Sequence, residues 1–348
     1  MKNIIGAAQE VSAPAAKLVE IGPDAEGQRL DNYLLRVLKG VPKTHVYRII
    51  RSGEVRVNKG RADAATRLAL GDSVRLPPLR LSERAEEKSA AMARNAPARS
   101  FPVLHEDDAF LAIDKPAGVA VHGGSGVDFG VIEQLRMARP GAPFLELVHR
   151  LDRETSGVLL VAKKRSALKH LQDQFRERET GKTYLALALG TWPGKHKVLD
   201  KPLVRYLLPG KPGTEGERRV RVAAADDPQG MRSITLVRVA QALADFSLLE
   251  VTIKTGRTHQ IRVHLASEGH PIAGDDKYGD FTVNKALVRQ GLSRMFLHAW
   301  RLRLAHPASG ETVQLEAALP PELAGFLAAC APAVTGAGRQ SPHASPTL

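Results

Sequence analysis

His149-Arg-Leu-Asp-Arg-Glu-Thr-Ser-Gly157 stands between two apolar runs, Phe144-Leu-Glu-Leu-Val148 and Val158-Leu-Leu-Val-Ala162. The runs have strand length and the segment between them is polar, so the pattern predicts a charged loop pinned between two strands. One carboxylate, Asp152, lies in its middle with Arg150 and Arg153 on either side. A solvated turn with a surface ion pair would account for these charges. A carboxylate held for catalysis is the alternative, and the rest of the chain has to decide. Arg150 precedes Asp152 by two residues, a spacing that on a strand directs both to one face.

The chain has 348 residues, enough for two domains and a sizeable core. Its net charge of +13 makes a polyanion the first candidate partner. Cys330 is the only cysteine, which excludes an internal disulfide framework and a Cys-rich zinc site. No apolar stretch approaches the ~20 residues of a membrane helix. The first ten residues lack the apolar core of a secretory signal. The expectation is a cytoplasmic protein with no membrane association.

The N-terminal part reads as an Ala-rich tail over 1–17 and a small module over 18–81. Leu30, Leu34, Val37 and Leu38 share one helical face, and Val46, Ile49 and Ile50 share another after the break at Pro42. Gly53 suits the stop of the second helix, Val55-Arg-Val57 alternates like a strand, and Asn58-Lys-Gly60 turns the chain towards a strand at Leu70–Leu76. From Gln28 to Leu81, 12 Lys/Arg stand against four Asp/Glu, so this stretch carries +8 of the net charge. Its helices turn Arg29, Arg36, Lys43, Arg48 and Arg51 towards water. Residues 82–100 hold almost nothing that packs a core and read as a linker.

A second domain is expected over 101–322, followed by a mostly disordered tail over 323–348. Strands are predicted at 103–105, 110–113, 183–189, 233–239, 246–254, 297–304 and 312–319. A helix capped by Ser166 should run to about Arg178 with Leu168, Leu171, Gln172 and Phe175 on one side. A second, capped by Thr258, should end at Gly269 with Ile261 and Leu265 inward. Residues 190–232 form a basic strand-and-loop excursion, and 270–279 an irregular polar loop. Strands outnumber helices and short links favour antiparallel pairing, giving an α+β class with a mixed, largely antiparallel sheet and peripheral helices.

Three stretches carry chemistry: the Asp152 loop, Tyr184 at the opening of a strand, and Arg257 to His264. Arg262 lies on the flank of a buried helical stripe, where it reaches a site instead of bulk water. Gly123-Gly-Ser-Gly126 reads as a plain loop, because no Lys-Ser/Thr ending follows it. Gly181-Lys-Thr183 lacks the glycine five positions earlier that a phosphate loop needs. His149, His259 and His264 lack ligand-like spacing, so no metal site is expected; His149 and His259 are open to acid/base work or to packing and hydrogen bonding.

Arg29-Leu-Asp31, Arg51-Ser-Gly-Glu-Val-Arg-Val-Asn58 and Gly71-Asp72 resemble the S4 RNA-binding domain. That resemblance implies recognition of structured RNA through its backbone and shape. His149-Arg-Leu-Asp152 with Thr155-Ser-Gly157, Lys182-Thr-Tyr184 and Gly256-Arg-Thr-His-Gln-Ile-Arg262 together resemble the RluA-type RNA pseudouridine synthases, over roughly residues 18–320. The resemblance implies that uridine is flipped out of its stack, that its N1–C1′ bond breaks, and that C5 is joined to C1′. It assigns Asp152 as nucleophile, Arg262 as its ion-pair partner, and Tyr184 as the ring that stacks on uracil and moves a proton. Arg150 would enter the RNA where the base left, and Arg257 with Arg29, Arg36, Lys43, Arg48 and Arg51 would contact the substrate. No cofactor or metal is required, and a monomer without an obligatory protein partner is expected to act on ribosomal RNA. The 270–279 loop looks most like the type that modifies separated sites in large-subunit rRNA; a type acting on one large-subunit hairpin is the alternative. A non-catalytic S4 protein of ribosome assembly would not need the Asp152, Tyr184 and Arg262 set. A two-carboxylate glycosidase would need a facing acid that Glu154, two residues along the turn, does not supply.

Overall fold

The computed structural model describes residues 16–22, 25–38, 41, 43–78, 97–123, 129–209, 216–224 and 226–331. The chain divides into two compact units, residues 1–96 and 97–348.

In the first unit, strand β1 is Lys17–Glu20, helices α1 and α2 are Leu30–Val37 and Lys43–Arg51, and strands β2, β3 and β4 are Arg56–Val57, Gly60–Arg61 and Ser73–Leu76. The sheet order is β1-β4-β2-β3, antiparallel throughout. Leu30, Tyr33 and Leu34 of α1 and Val46, Ile49 and Ile50 of α2 fill its core. Val37 is 40% exposed, so the α1 stripe is narrower than its spacing suggests. Gly53, with φ of 74°, reverses the chain after α2, and Asn58 and Lys59 both take positive φ in the two-residue β2–β3 turn. The expected tail loses Lys17, which pairs with Leu76. The Pro42 break, the linker over 82–96 and the glycine loop from 124 onward lie outside the described residues.

The second unit contains β5 (Val103–Glu106), β6 (Phe110–Lys115), α3 (Val131–Ala138), β7 (Glu146–Leu147), β8 (Ser156–Ala162), α4 (Arg165–Glu177) and β9 (Gly181–Leu189). It continues with β10 (His196–Asp200), β11 (Leu203–Leu208), β12 (Glu217–Val222), β13 (Ile234–Ala242), β14 (Phe246–Ile253) and α5 (Gln260–Ser267). It closes with α6 (Phe281–Arg289), β15 (Leu297–Ala305), β16 (Thr312–Glu316) and α7 (Pro321–Ala329). Ten of these strands form one sheet, in the order β10-β13-β14-β9-β15-β8-β6-β5, with β16 on β15 and β7 on β8. All its pairings are antiparallel except β8 with β15. β11 and β12 form a separate hairpin inside the basic excursion.

Several expectations change. The Phe144–Val148 run holds a strand only at β7, because Leu145 and Val148 leave it for two different cores. Arg150 and Asp152 therefore sit in irregular loop and not on a strand. α4 starts at Arg165 with no side-chain cap, so Ser166 lies inside it. Gln172 points outward, while the buried Gln174 carboxamide donates to the Ala305 carbonyl at 2.8 Å and accepts its N–H at 2.9 Å. Thr258 does not cap α5; His259 does the turning at φ 53°, and the Gln260 Oε1 accepts the Arg257 N–H. α7 runs through the region expected to be disordered, with Leu323 and Phe326 buried against the β9–β14 core.

Candidate active site

The Asp152 loop is held at both ends and from below. His149 accepts the Leu160 N–H on Nε2 at 3.1 Å, and its ring stacks on Phe175 at 4.7 Å. Burial pulls its imidazolium down to about 4, so it stays neutral and structural. Thr155 N–H closes a turn on the Asp152 carbonyl at 3.1 Å. At the far end Gly157 has φ of 111°, and a Cβ there would meet the Ala299 carbonyl oxygen at 2.2 Å. Only glycine allows β8 to approach β15 so closely. Beneath the loop, the fully buried Lys115 donates to the carbonyls of Pro116, Val119 and Arg153 at 2.8, 2.8 and 3.0 Å. Burial, then the charge of Arg294, draws its ammonium down to about 7. Three carbonyl acceptors match the three N–H bonds of the protonated form, which is the form this geometry favours.

Arg262 faces Asp152 from the first turn of α5. Its Nη1 donates to Asp152 Oδ2 at a long 3.5 Å. Its closer partner is Asp275, gripped through Nε and Nη2 at 2.7 Å each. The expectation that Arg262 pairs with Asp152 is therefore half the arrangement: one guanidinium is shared between two carboxylates, and Asp275 holds the bidentate side. Asp275 also accepts the Lys277 and Tyr278 N–H groups at 2.9 and 3.1 Å. Burial opposes its ionisation, but Arg262 and these backbone donors outweigh that cost and hold the carboxyl below its ordinary range. The Arg262 guanidinium also lies 5.0 Å from the Tyr278 ring centre.

His259 completes the basic side, with Nε2 at 3.8 Å from Asp152 Oδ2. The Tyr278 hydroxyl accepts the Val220 N–H at 3.0 Å and contacts His259 Nδ1 at 2.8 Å. Burial lowers the imidazolium pKa of His259, against the pull of Asp152.

Asp152, Arg262 and His259 line a cavity of about 110 Å³ together with Tyr184, Ile253, Leu297, Arg150 and Arg257. That is several times the ~30 Å³ share of one water and well short of a drug-sized site of ~300 Å³ or more; it suits a single flat ring. Tyr184 comes from β9, opposite Val251 of β14, with Ile253 and Leu297 as apolar neighbours. Burial, then the charge of Asp152, pushes its phenol pKa up, so it is a protonated phenol at neutral pH. Arg150 is exposed at the rim, and Arg257 reaches the Arg232 carbonyl at 3.4 Å. Arg153 lies outside this set, paired with Glu154 at 2.7 Å.

In the first unit, Arg48 and Arg51 are exposed, with contacts to His45 and the Tyr47 carbonyl. Arg29 is half exposed and forks onto the buried Asp31 at 3.1 and 2.7 Å, which commits much of its charge. The side chains of Arg36 and Lys43 lie outside the described residues. Sequence reasoning missed Asp275, Tyr278 and Lys115. The Gly274-Asp-Asp-Lys-Tyr278 string inside the polar loop was the available signal for the first two.

Residues 109–267 match the family model for RNA pseudouridylate synthase, and residues 28–74 match the S4 domain. The chain is 48% identical over 321 residues to "Ribosomal large subunit pseudouridine synthase C" of Pasteurella multocida (strain Pm70), spanning 92% of this chain and 96% of that relative. It is 49% identical over 310 residues to the protein of the same name in Escherichia coli (strain K12), spanning 88% and 94%. Among solved structures, Human RNA Pseudouridylate Synthase Domain Containing 1 superposes with a TM-score of 0.54 at 26% identity, covering 68% of this chain and 89% of that one. The chain belongs to the RNA pseudouridine synthase family and carries an N-terminal S4 domain. It is an enzyme that isomerises uridine in RNA.

Proposed function

We propose that this synthase converts separated uridines of large-subunit (23S) ribosomal RNA to pseudouridine. The observation that carries the substrate is near-half identity over about nine-tenths of both chains to relatives named for the large ribosomal subunit. In the reaction N1–C1′ breaks and C5–C1′ forms. The hydrogen on C5 leaves as a proton, N1 gains one, and the product is an isomer. Asp152 is the nucleophile of this exchange, supported by its place in the cavity beside Arg262. Sharing Arg262 with Asp275 leaves the Asp152 charge oriented but incompletely neutralised. Tyr184 stacks on the uracil and enters as a phenol, donating before it can accept. Arg150 occupies the gap left by the flipped base, and Arg257, Arg48 and Arg51 contact phosphates. The enzyme acts in the cytoplasm as a monomer without an obligatory protein partner. Among the described residues no helix is long and apolar enough to cross a membrane.

Tritium release from [5-³H]uridine-labelled 23S RNA tests the chemistry: wild type is expected to release label and Asp152→Asn to release none. Full activity in the variant would remove Asp152 from its role. Pseudouridine mapping of ribosomes from a deletion strain tests the substrate. Loss at dispersed large-subunit sites is expected; loss confined to one hairpin would instead assign the single-hairpin type.

A further inference from the structure

We propose that Arg294 is a positioning residue for Asp152, holding the loop from beneath through Glu154 and Ser156. The inference rests on the role given to Asp152 above.

Arg294 precedes β15 and its side chain is only 11% exposed. Nη2 donates to the Ser156 hydroxyl at 2.8 Å and reaches the Glu154 carbonyl at 3.4 Å. Nη1 donates to Glu322 at the start of α7 at 3.1 Å. The guanidinium thus ties Glu154 and Ser156, just downstream of Asp152, to a helix from the far end of the chain. A lysine could not divide its donors in this planar way.

The contact to Ser156 has a fixed direction. His298 places Nε2 at 3.0 Å from the Ala317 carbonyl, so that nitrogen carries the proton and Nδ1 is an acceptor. The Ser156 hydroxyl, 2.9 Å from Nδ1, must donate to it, which leaves its oxygen free to accept from Arg294. Burial keeps the His298 imidazole neutral, consistent with that order. Ser156 and His298 are both fully buried, and no alternative arrangement satisfies every group in the chain of bonds.

Arg294 also touches the other half of the site. Gly274 has φ of 77°, and a Cβ there would lie 2.3 Å from the Arg294 carbonyl oxygen. Gly274 immediately precedes Asp275, the residue that grips Arg262. One segment, 294–298, therefore braces the loop of Asp152 with its side chains and the loop behind Arg262 with its backbone.

A positioning role predicts a loss in the chemical step and not in RNA binding. Arg294→Met should lower the single-turnover rate of tritium release on the order of 10²-fold, the scale of a 1 Å misplacement. The RNA dissociation constant should stay within about twofold. Arg294→Lys should recover part of the rate. If the Arg294 variants do not fold, Ser156→Ala carries the test, with an expected loss of about tenfold in rate. A wild-type rate in folded Arg294→Met or in Ser156→Ala overturns the proposal. So does a loss expressed in RNA affinity, or Arg294→Lys no better than Arg294→Met. Asp152→Asn, assayed beside them, separates the two readings: if it is inactive while Arg294→Met is fully active, only the positioning role fails.

Discussion

At the scale of single residues, Arg262 is the pivot, because one cation serves two carboxylates of unequal exposure. The Asp275 side chain is 0% exposed and that of Asp152 21%. Removing one partner of a buried pair costs about 3–5 kcal/mol. Asp275→Asn should therefore lower the denaturant midpoint at neutral pH. It should also cut kcat more than KM, because the released guanidinium is free to neutralise Asp152 fully. The sign with pH follows from the depressed pKa of Asp275. Its contribution is complete above the ordinary carboxylate value of about 4 and is lost as pH falls through its lower folded value. The stability gap between wild type and variant should then close on acidification below about pH 4; a gap constant with pH would refute the pairing. That Asp152, Tyr184 and Arg262 line one cavity was legible in the sequence, because each stands in a distinctive string. Asp275 was not, because Asp276 beside it is chemically equal. Only the fold buries one and exposes the other.

At the scale of elements, the Asp152 loop is precise because its attachments are. His149 should matter through its neutral form. Folded, it titrates near 4; unfolded, near 6.5, so the unfolded chain binds more protons between these values. Stability should fall as pH drops from about 6.5 to about 4, by roughly 1–3 kcal/mol from this residue. His149→Gln, with a neutral acceptor in the same place, should flatten that part of a melting-temperature profile. An unchanged profile would show that other groups set it. The principal strands were readable from apolar runs such as Val158–Ala162 or from alternation of apolar and polar residues, and the helix over 165–177 from its period. α3, α6 and α7 were not read, whereas α1 and α2, of the same eight or nine residues, were marked by their apolar stripes. In α5 every residue from Gln260 to Leu265 is buried, so it shows no polar face to mark where it begins.

At the scale of the whole molecule, much of the net positive charge sits on the smaller unit while the chemistry sits on the larger. The order of two domains was plain from the charge imbalance and the core-poor linker; the pairing of β8 with β15 was not, since parallel pairing across so long a separation leaves no local mark. A chain beginning at Pro97 should bind 23S RNA more weakly and with a shallower salt dependence, by roughly one unit of slope for each phosphate that the S4 domain neutralises. Its rate on a minimal stem-loop should suffer less. Equal losses in both assays would make the S4 domain part of the catalytic machinery. The support beneath Asp152 also has a consequence in time. Arg294 meets Ser156 and Glu154 across 138 and 140 residues of chain. At ~5–20 residues per second of synthesis, the loop emerges roughly 7–28 s before the arginine that braces it. A nascent chain can present its S4 domain to RNA during that interval, before the loop of Asp152 is braced.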